Sequence, residues 1–297
     1  MPAPKAPGPR ALRSEFLESQ KKHPRTFSFE FFPPKTPGGM EKLRATWRQL
    51  AQLKPRFFSC TYGAGGSTRE RTLETVLEIQ AAGHRAAPHI SCIGATRADV
   101  AATLELYKSK RIDHIVALRG DLPSGAASAG ELRFASELVA FIRERTGDHF
   151  HVEVACYPEF HPQARSPHED LRNFKRKIDA GADAAITQYF YNIDSYLRFV
   201  DDCEALGIDL PIVPGIMPIG NFSQLARFSD ACGAEIPRWL RLKMQSLGDD
   251  VASIRSLGLD VVTDLCDRLL SAGAPGLHFY TMNQAGLTST IWQRLGI

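Results

Sequence analysis

Eight short runs with alternating, β-rich sequence recur along the chain, at 26–33, 57–63, 85–92, 114–121, 151–158, 184–191, 212–218 and 277–282. Stretches with helical periodicity separate them, at 40–53, 68–82, 97–108, 131–146, 167–180, 193–205 and 222–232. The first seven runs start about thirty residues apart, close to the size of one βα unit. The seventh gap is longer. It holds an extra segment, 237–246, and a long helix, 251–272, and a last helix, 284–295, follows the eighth run. Eight strands alternating with helices predict a (β/α)8 TIM barrel. A doubly wound open sheet is the second choice, because no glycine fingerprint follows the first strand. "GAGGST", 63–68, follows the second strand and lacks the G-x-G-x-x-G spacing. It reads either as a turn capped by Ser67 or Thr68 or as a loop that lets a planar ligand approach the backbone.

The first run, "FSFEFFPPKT", turns Phe27, Phe29 and Phe31 to one side and Ser28 and Glu30 to the other, and a double proline ends it. A carboxylate directed into a fold is costly unless something there uses it. In a barrel the site lies where strands end, so the polar residues at those ends carry the most information. They are Glu30; Thr61 and Tyr62; His89 and Ser91; Arg119, Gly120 and Asp121; Tyr157, Glu159 and His161; Gln188, Tyr189 and Tyr191; and Phe222 at a helix start. Singly, each has a plain packing or pairing role. Together they place acids, imidazoles, an arginine and an amide on one rim, which suits a flat organic cofactor. No metal is expected. H-E-x-x-H does not occur, and a metal requires carboxylate and imidazole together at ligand distance.

On the fifth predicted helix, "HEDLRNFKRKIDAGA" sets Asp170, Asn173, Phe174 and Lys177 on one face beside Arg176. This is either a solvated charged face or a grip for pyrophosphate and a ribose hydroxyl. The loop 120–130 is long and made of small residues, either plain surface or a flap over a ligand.

Composition narrows the class without choosing the chemistry. The 297 residues are 43% hydrophobic and 23% charged, with a net charge of +3 and scattered Lys and Arg, so no nucleic-acid partner is expected. No run is long and apolar enough to predict a membrane span. The Pro-rich start has no apolar core of a signal peptide, and residues 1–25 read as an arm, partly disordered or helical, before a single domain at 26–297. The six cysteines lack C-x-x-C spacing and read as buried thiols in a reducing cytoplasm.

Several motifs in order resemble the catalytic domain of the 5,10-methylenetetrahydrofolate reductase family: "FSFEFFPPKT", "CTYGAGGSTRERT", "APHISCIG", "HIVALRGDLP", "YPEFHP", "DLRNFKRKIDAGADAAITQYFYN", "PIVPGIMPI" and "LHFYTMN". The resemblance implies a flavin barrel. FAD would lie on the C-terminal face of the strands, take a hydride from NADH or NADPH, and pass it by a ping-pong route to methylenetetrahydrofolate, giving 5-methyltetrahydrofolate. It further implies that Glu30 is the general acid at the folate N10. A carboxyl among phenylalanines is expected to have a raised pKa, which suits that role. Asp121 would hold the pterin's amino edge and lie near the flavin, Gln188 would bond the pterin or the nicotinamide amide, and Phe222 would stack on either substrate. Thr61, Tyr62, Ala64, His89, Arg119, Gly120, Asp121, Phe134, Ala135, Tyr157, His161, Ala164, Asp170, Asn173, Arg176 and Lys177 match flavin-contacting positions. Phe134 stands where many relatives have Tyr, so one hydroxyl contact is missing. Gln284 replaces a cation that could grip the folate's carboxylate tail. The family's members form dimers or tetramers, and a homo-oligomer is expected. Other flavin barrels and a non-catalytic barrel are the rival readings, and the joint presence of Glu30, Asp121 and Gln188 speaks against both.

Overall fold

The computed structural model describes residues 17–63, 68–120 and 130–297. After a short helical turn, α1 (Glu18–Lys21), the elements run β1 (Thr26–Phe31), α2 (Pro37–Ala51), β2 (Phe57–Cys60), α3 (Arg69–Ala81), β3 (Ala86–Ser91), α4 (Arg97–Ser109), β4 (His114–Leu118), α5 (Ala135–Thr146), β5 (His151–Cys156), α6 (Pro167–Asp179), β6 (Ala184–Thr187) and α7 (Ile193–Ala205). Then come β7 (Ile212–Val213), β8 (Gly215–Ile216), α8 (Phe222–Cys232), α9 (Arg238–Ser246), α10 (Val251–Ala272), β9 (Gly276–Tyr280) and α11 (Gly286–Leu295). Every strand pairing is parallel, in the order β7-β6-β5-β4-β3-β2-β1-β9-β8. This is the (β/α)8 barrel.

The one departure in strand count has a local cause. The expected seventh strand is interrupted at Pro214, which has no N–H to give a ladder. Its halves serve different neighbours: β7 pairs with β6 and β8 with β9, while His278 N donates to the Pro214 carbonyl at 3.0 Å. The interrupted strand therefore joins the two ends of the sheet. Gly215 allows this closure, because a Cβ there would stand 2.1 Å from the Thr187 carbonyl oxygen and 2.6 Å from the Tyr280 ring.

Strand alternation divides the molecule into two interiors. On β1, Phe29 and Phe31 face outward to the helices. Phe29 packs among Phe58, Phe279 and Trp292, and Phe31 stacks on Phe58 at 5.5 Å. Burying one such ring contributes about 2 kcal/mol. That outweighs the cost of turning Ser28 and Glu30 into the barrel, provided both find partners there. Inside the ring a small apolar layer of Phe57, Ala87, Val116 and Ile186 fills the middle. Polar groups sit above and below it.

Local signals fix the helix starts. Thr36 accepts from Gly39 N ahead of Pro37, Thr96 and Asp99 form a capping box, and Ser166 accepts from Glu169 N ahead of Pro167. Helix α2 begins three residues before the periodicity predicts because of Thr36 and Pro37. Helix α5 begins at Ala135 rather than 131, where Glu137 Oε2 accepts from the N–H groups of Arg133 and Phe134.

The described part of the N-terminal segment is docked on the barrel. Leu17 N donates to the Ala272 carbonyl, Gln20 Nε2 donates to the Leu210 carbonyl at 3.3 Å, and Gln20 Oε1 accepts from Ile212 N at 2.8 Å. Gln20 is buried and supplies the partner that the first residue of β7 lacks. Among the described residues no helix is long and apolar enough to cross a membrane. All six cysteines are free, and five are buried. We expect Gln20→Ala to destabilise the fold by about 1–3 kcal/mol, the cost of stranding the buried Ile212 N–H. Denaturant unfolding should show this as a lower midpoint at unchanged slope.

Candidate functional site

The parallel register carries Ser28, Glu30, Ser59, His89, His278 and Tyr280 to the inner face of the barrel. The Glu30 Oε2 atom stands 3.3 Å from His89 Nε2 and 3.4 Å from His278 Nε2. His278 is fully buried, and its Nδ1 lies 2.7 Å from Ser28 Oγ. With the serine hydroxyl donating to Nδ1, the ring carries its proton on Nε2, facing the carboxylate. The backbone is held as firmly, since Thr281 Oγ1 donates to the Glu30 carbonyl at 2.7 Å. The Glu30 side chain is 17% exposed and opens toward the C-terminal mouth.

This environment corrects the expected raised pKa of Glu30. The flanking phenylalanines lie on the other face of the strand and do not surround the carboxyl. Burial pushes Glu30 up, but the charges and hydrogen bonds of His89 and His278 together outweigh it and hold the group down at about 2.

A second group of predicted residues lines a cavity of about 520 Å³ outside the ends of β4 and β5. Arg119 enters from β4, Phe134 and Ala135 from the start of α5, Tyr157, His161 and Ala164 from the loop after β5, and Asp170, Asn173, Arg176 and Lys177 from α6. Arg176 donates to Asn173 Oδ1, Lys177 Nζ donates to the Ala155 carbonyl at 2.6 Å, and Asp170 Oδ2 accepts from His161 N at 2.9 Å. Burial pushes the Lys177 ammonium down from its ordinary value. With Arg165 the wall holds four cations, beside the carboxylates of Glu137, Glu169 and Asp170, a set that fits a dinucleotide: cations for pyrophosphate, a carboxylate for a ribose hydroxyl. Gly120 adds an approach for a planar group. Its φ is +85°, and a Cβ there would meet Ser91 Oγ at 2.0 Å.

Other predicted residues are more dispersed. Thr61 and Tyr62 follow β2, with Thr61 N bonded to the Phe31 carbonyl. Gln188 follows β6, its side chain accepting from Tyr189 N, and lines a small cleft with Tyr157 and Glu159. Phe222 opens α8 and is half-buried against the core. Gln284 is exposed and lines a cavity of about 360 Å³ with Gly220, Asn221, Met282 and Arg255. Ala64 and Asp121 lie outside the described residues.

Sequence reasoning missed His278 and the grip of Thr281 on Glu30. The signal available was the inward parity shared by Ser28, Glu30 and His278 once the first and last strands are neighbours. It also missed a group at the other end of the barrel. His114, His151 and Glu153 offer ligand atoms that all lie within 4.8 Å of one another.

The chain is similar to known proteins. The profile of the family described as Methylenetetrahydrofolate reductase matches residues 15–296. The chain is 42% identical over 271 residues to the 5,10-methylenetetrahydrofolate reductase of Salmonella typhimurium, covering 91% of this chain and 90% of that protein. It is 38% identical over 285 residues to methylenetetrahydrofolate reductase (NADH) 1 of Arabidopsis thaliana, covering 91% of this chain and 48% of that one. A solved structure of a Clostridium thermocellum protein, described as binding two copies of 5-methyl-5,6,7,8-tetrahydrofolic acid, shares the fold. Its TM-score is 0.62 at 17% identity, covering 93% of this chain and 94% of that one.

Glu159, in the small cleft, gives a test of the site's electrostatics. Burial pushes its carboxyl up to about 7, against a backbone hydrogen bond from Glu235 N, and its Oε1 is buried without a partner. A raised carboxyl pKa favours the fold at low pH, and that contribution is lost as pH rises from about 4.5 through about 7. Glu159→Gln should therefore be more stable than the parent at pH 8, with the difference vanishing near pH 4, in thermal melts across that range.

Proposed function

The chain belongs to the methylenetetrahydrofolate reductase family, and from that premise we propose that it interconverts 5,10-methylenetetrahydrofolate and 5-methyltetrahydrofolate with FAD as carrier and NADH or NADPH as donor. One observation carries the reading: a carboxylate at the mouth of the barrel flanked by two imidazoles, together with a cation-bearing cavity at the same end, outside β4 and β5. FAD bound there would supply a two-electron relay between the nicotinamide and the folate. Arg119, Arg176 and Lys177 would hold its pyrophosphate and Asp170 its ribose, with the planar ring over Gly120 near Tyr62 and His89. The two substrates would occupy one place in turn, with Phe222 against each. Gln188 would bond the pterin or the nicotinamide amide, and Asp121 would hold the pterin's amino edge near the flavin. A homo-oligomer is part of the proposal. Both the Salmonella typhimurium relative and the Clostridium thermocellum fold relative bear names that concern folate, which supports the substrate class.

Glu30 moves the proton. Opening the five-membered ring of the folate requires a proton at N10 so that the C–N bond can break and leave an iminium that accepts hydride. With its carboxyl held low, Glu30 does not store that proton alone. Glu30 Oε2, held by imidazoles 3.3–3.4 Å away and open to the barrel mouth, takes up a proton from solvent in the substrate complex and passes it to the substrate nitrogen. Ser28, bonded to the far nitrogen of His278, fixes the direction of that ring.

The cation absent at position 284 has a neighbour able to replace it. Arg255, from α10, lines the same cavity as Gln284 and is placed to meet the carboxylate tail of the folate.

Two experiments test these roles. In anaerobic half-reactions, Glu30→Gln should slow folate reduction by at least about a hundredfold, the scale of general acid catalysis. Flavin reduction by the nicotinamide should stay within about twofold; equal loss of both half-reactions would refute the role. Arg255→Ala should raise the KM for methylenetetrahydrofolate about tenfold at unchanged kcat, as loss of one charge-assisted hydrogen bond would. An unchanged KM would assign the tail to another group.

A further inference from the structure

The N-terminal mouth of the barrel holds titratable groups that the folate chemistry does not use. Strands β4 and β5 begin side by side, with His114 in register with His151, and the period of two carries Glu153 to the same inner face. His114 Nε2 lies 3.0 Å and His151 Nε2 3.8 Å from Glu153 Oε1. The side chains of His114 and Glu153 are each 4% exposed, and that of His151 is 45% exposed. The apolar layer of Phe57, Ala87, Val116 and Ile186 separates them from Glu30.

Hydrogen bonding between His114 and Glu153 does not account for the cluster. Glu153 Oε2 and His114 Nδ1 are buried and have no partner. An acceptor stranded in this way needs a reason. The groups face a cavity of about 550 Å³ that opens to the outside of the barrel.

We propose that His114, His151 and Glu153 bind a divalent transition metal of the zinc type. Zinc bonds to imidazole nitrogen and carboxylate oxygen at about 2.0–2.2 Å, and a tetrahedral arrangement then puts ligands about 3.3–3.5 Å apart. The separations of 3.0 and 3.8 Å bracket that value. Two imidazoles with one carboxylate select against magnesium and calcium, which prefer oxygen ligands throughout. The buried carboxylate of Glu153 would gain a cation at its Oε1, and the open side toward the cavity leaves a fourth position for water. Asp183 Oδ2, 3.8 Å from His151 Nδ1, supports the ring from behind and is itself fixed by Arg143 and Val152 N. Arg25, Arg56 and Arg85 line the same cavity and oppose the ion, and Asp113 pairs with Arg85 at 3.0 Å.

The test is zinc titration of the chelator-treated full chain by calorimetry, with thermal melts in parallel. We expect one equivalent of zinc per chain and a higher melting temperature in its presence. His151→Gln, at the exposed ligand, should fold and weaken binding by at least about tenfold, the lower bound for disturbing a metal's surroundings. His149→Gln, in the same cavity but outside the cluster, should bind as the parent does. Cobalt in place of zinc should give the visible absorption of a four-coordinate site, lost in His151→Gln. Absence of stoichiometric uptake, or uptake unchanged in His151→Gln, overturns the proposal. These readouts do not involve flavin or folate, so their failure leaves the folate reading standing, and the reverse also holds.

Discussion

The arrangement at the mouth depends on one constraint: a carboxylate facing the inside of a closed parallel sheet must be answered by partners from other strands. Desolvating an ion alone would cost several kcal/mol, and a single neighbour rarely offsets that. Glu30 has two, from β3 and β9, and these strands are 2 and 1 positions away from β1 around the ring. Neither partner is close in sequence. The carboxylate is therefore tenable only once the sheet has assembled, and the ionised state of Glu30 is a property of the barrel rather than of β1.

The barrel is polar at both ends and apolar at its waist. Phe57, Ala87, Val116 and Ile186 divide it; the first three are in register with the polar inward residues Ser28, Ser59 and His89, and Ile186 with Ala155. The division sets the Glu30 group apart in space from Glu153 and its two histidines, while His278 still acts through it on Glu153 and lowers that carboxyl's pKa. It also explains why the outward faces of the same strands are so apolar. With the interior given over to chemistry, the helices and the outer strand faces supply most of the hydrophobic burial.

Much of this was legible in the sequence. Period-two runs spaced by period-3.6 runs gave eight strand positions, and α7, α8 and α10 begin and end where the pattern puts them. Caps such as Asn192 and Asn221 mark two of those starts in the sequence itself. The collection of Arg119, Asp170, Asn173, Arg176 and Lys177 around one cavity also follows from strand ends and helix phase. What sequence could not provide was lateral register. Phenylalanines adjacent to Glu30 along the chain suggested an apolar environment, yet alternation sends them to the opposite face. His278 lies 248 residues from Glu30, and His114 lies 39 from Glu153, so both meetings depend on which strands pair and with what offset. The break at Pro214 belongs to the same category. A proline in a β-rich run announces a lost hydrogen bond, but not that the strand will change neighbours there.

The seam between β1, β9 and β8 connects closure to chemistry. Tyr280 reaches across it to donate to the Thr187 carbonyl, the atom that a Cβ at Gly215 would strike. Thr281, the next residue, holds the Glu30 carbonyl, and Asn283 bonds both the N–H and the carbonyl of Phe32. The end of β1 is thus fixed from β9 and the turn after it, by side chains bonded to backbone. Such bonds fix the strand end, and with it the position of the carboxylate that must meet the substrate nitrogen. Closing the barrel and aiming the carboxylate are therefore one structural event. A substitution that loosens the seam should disturb proton delivery before it disturbs the cation-lined cavity, because that cavity is built from β4, β5 and α6 on the other side of the ring.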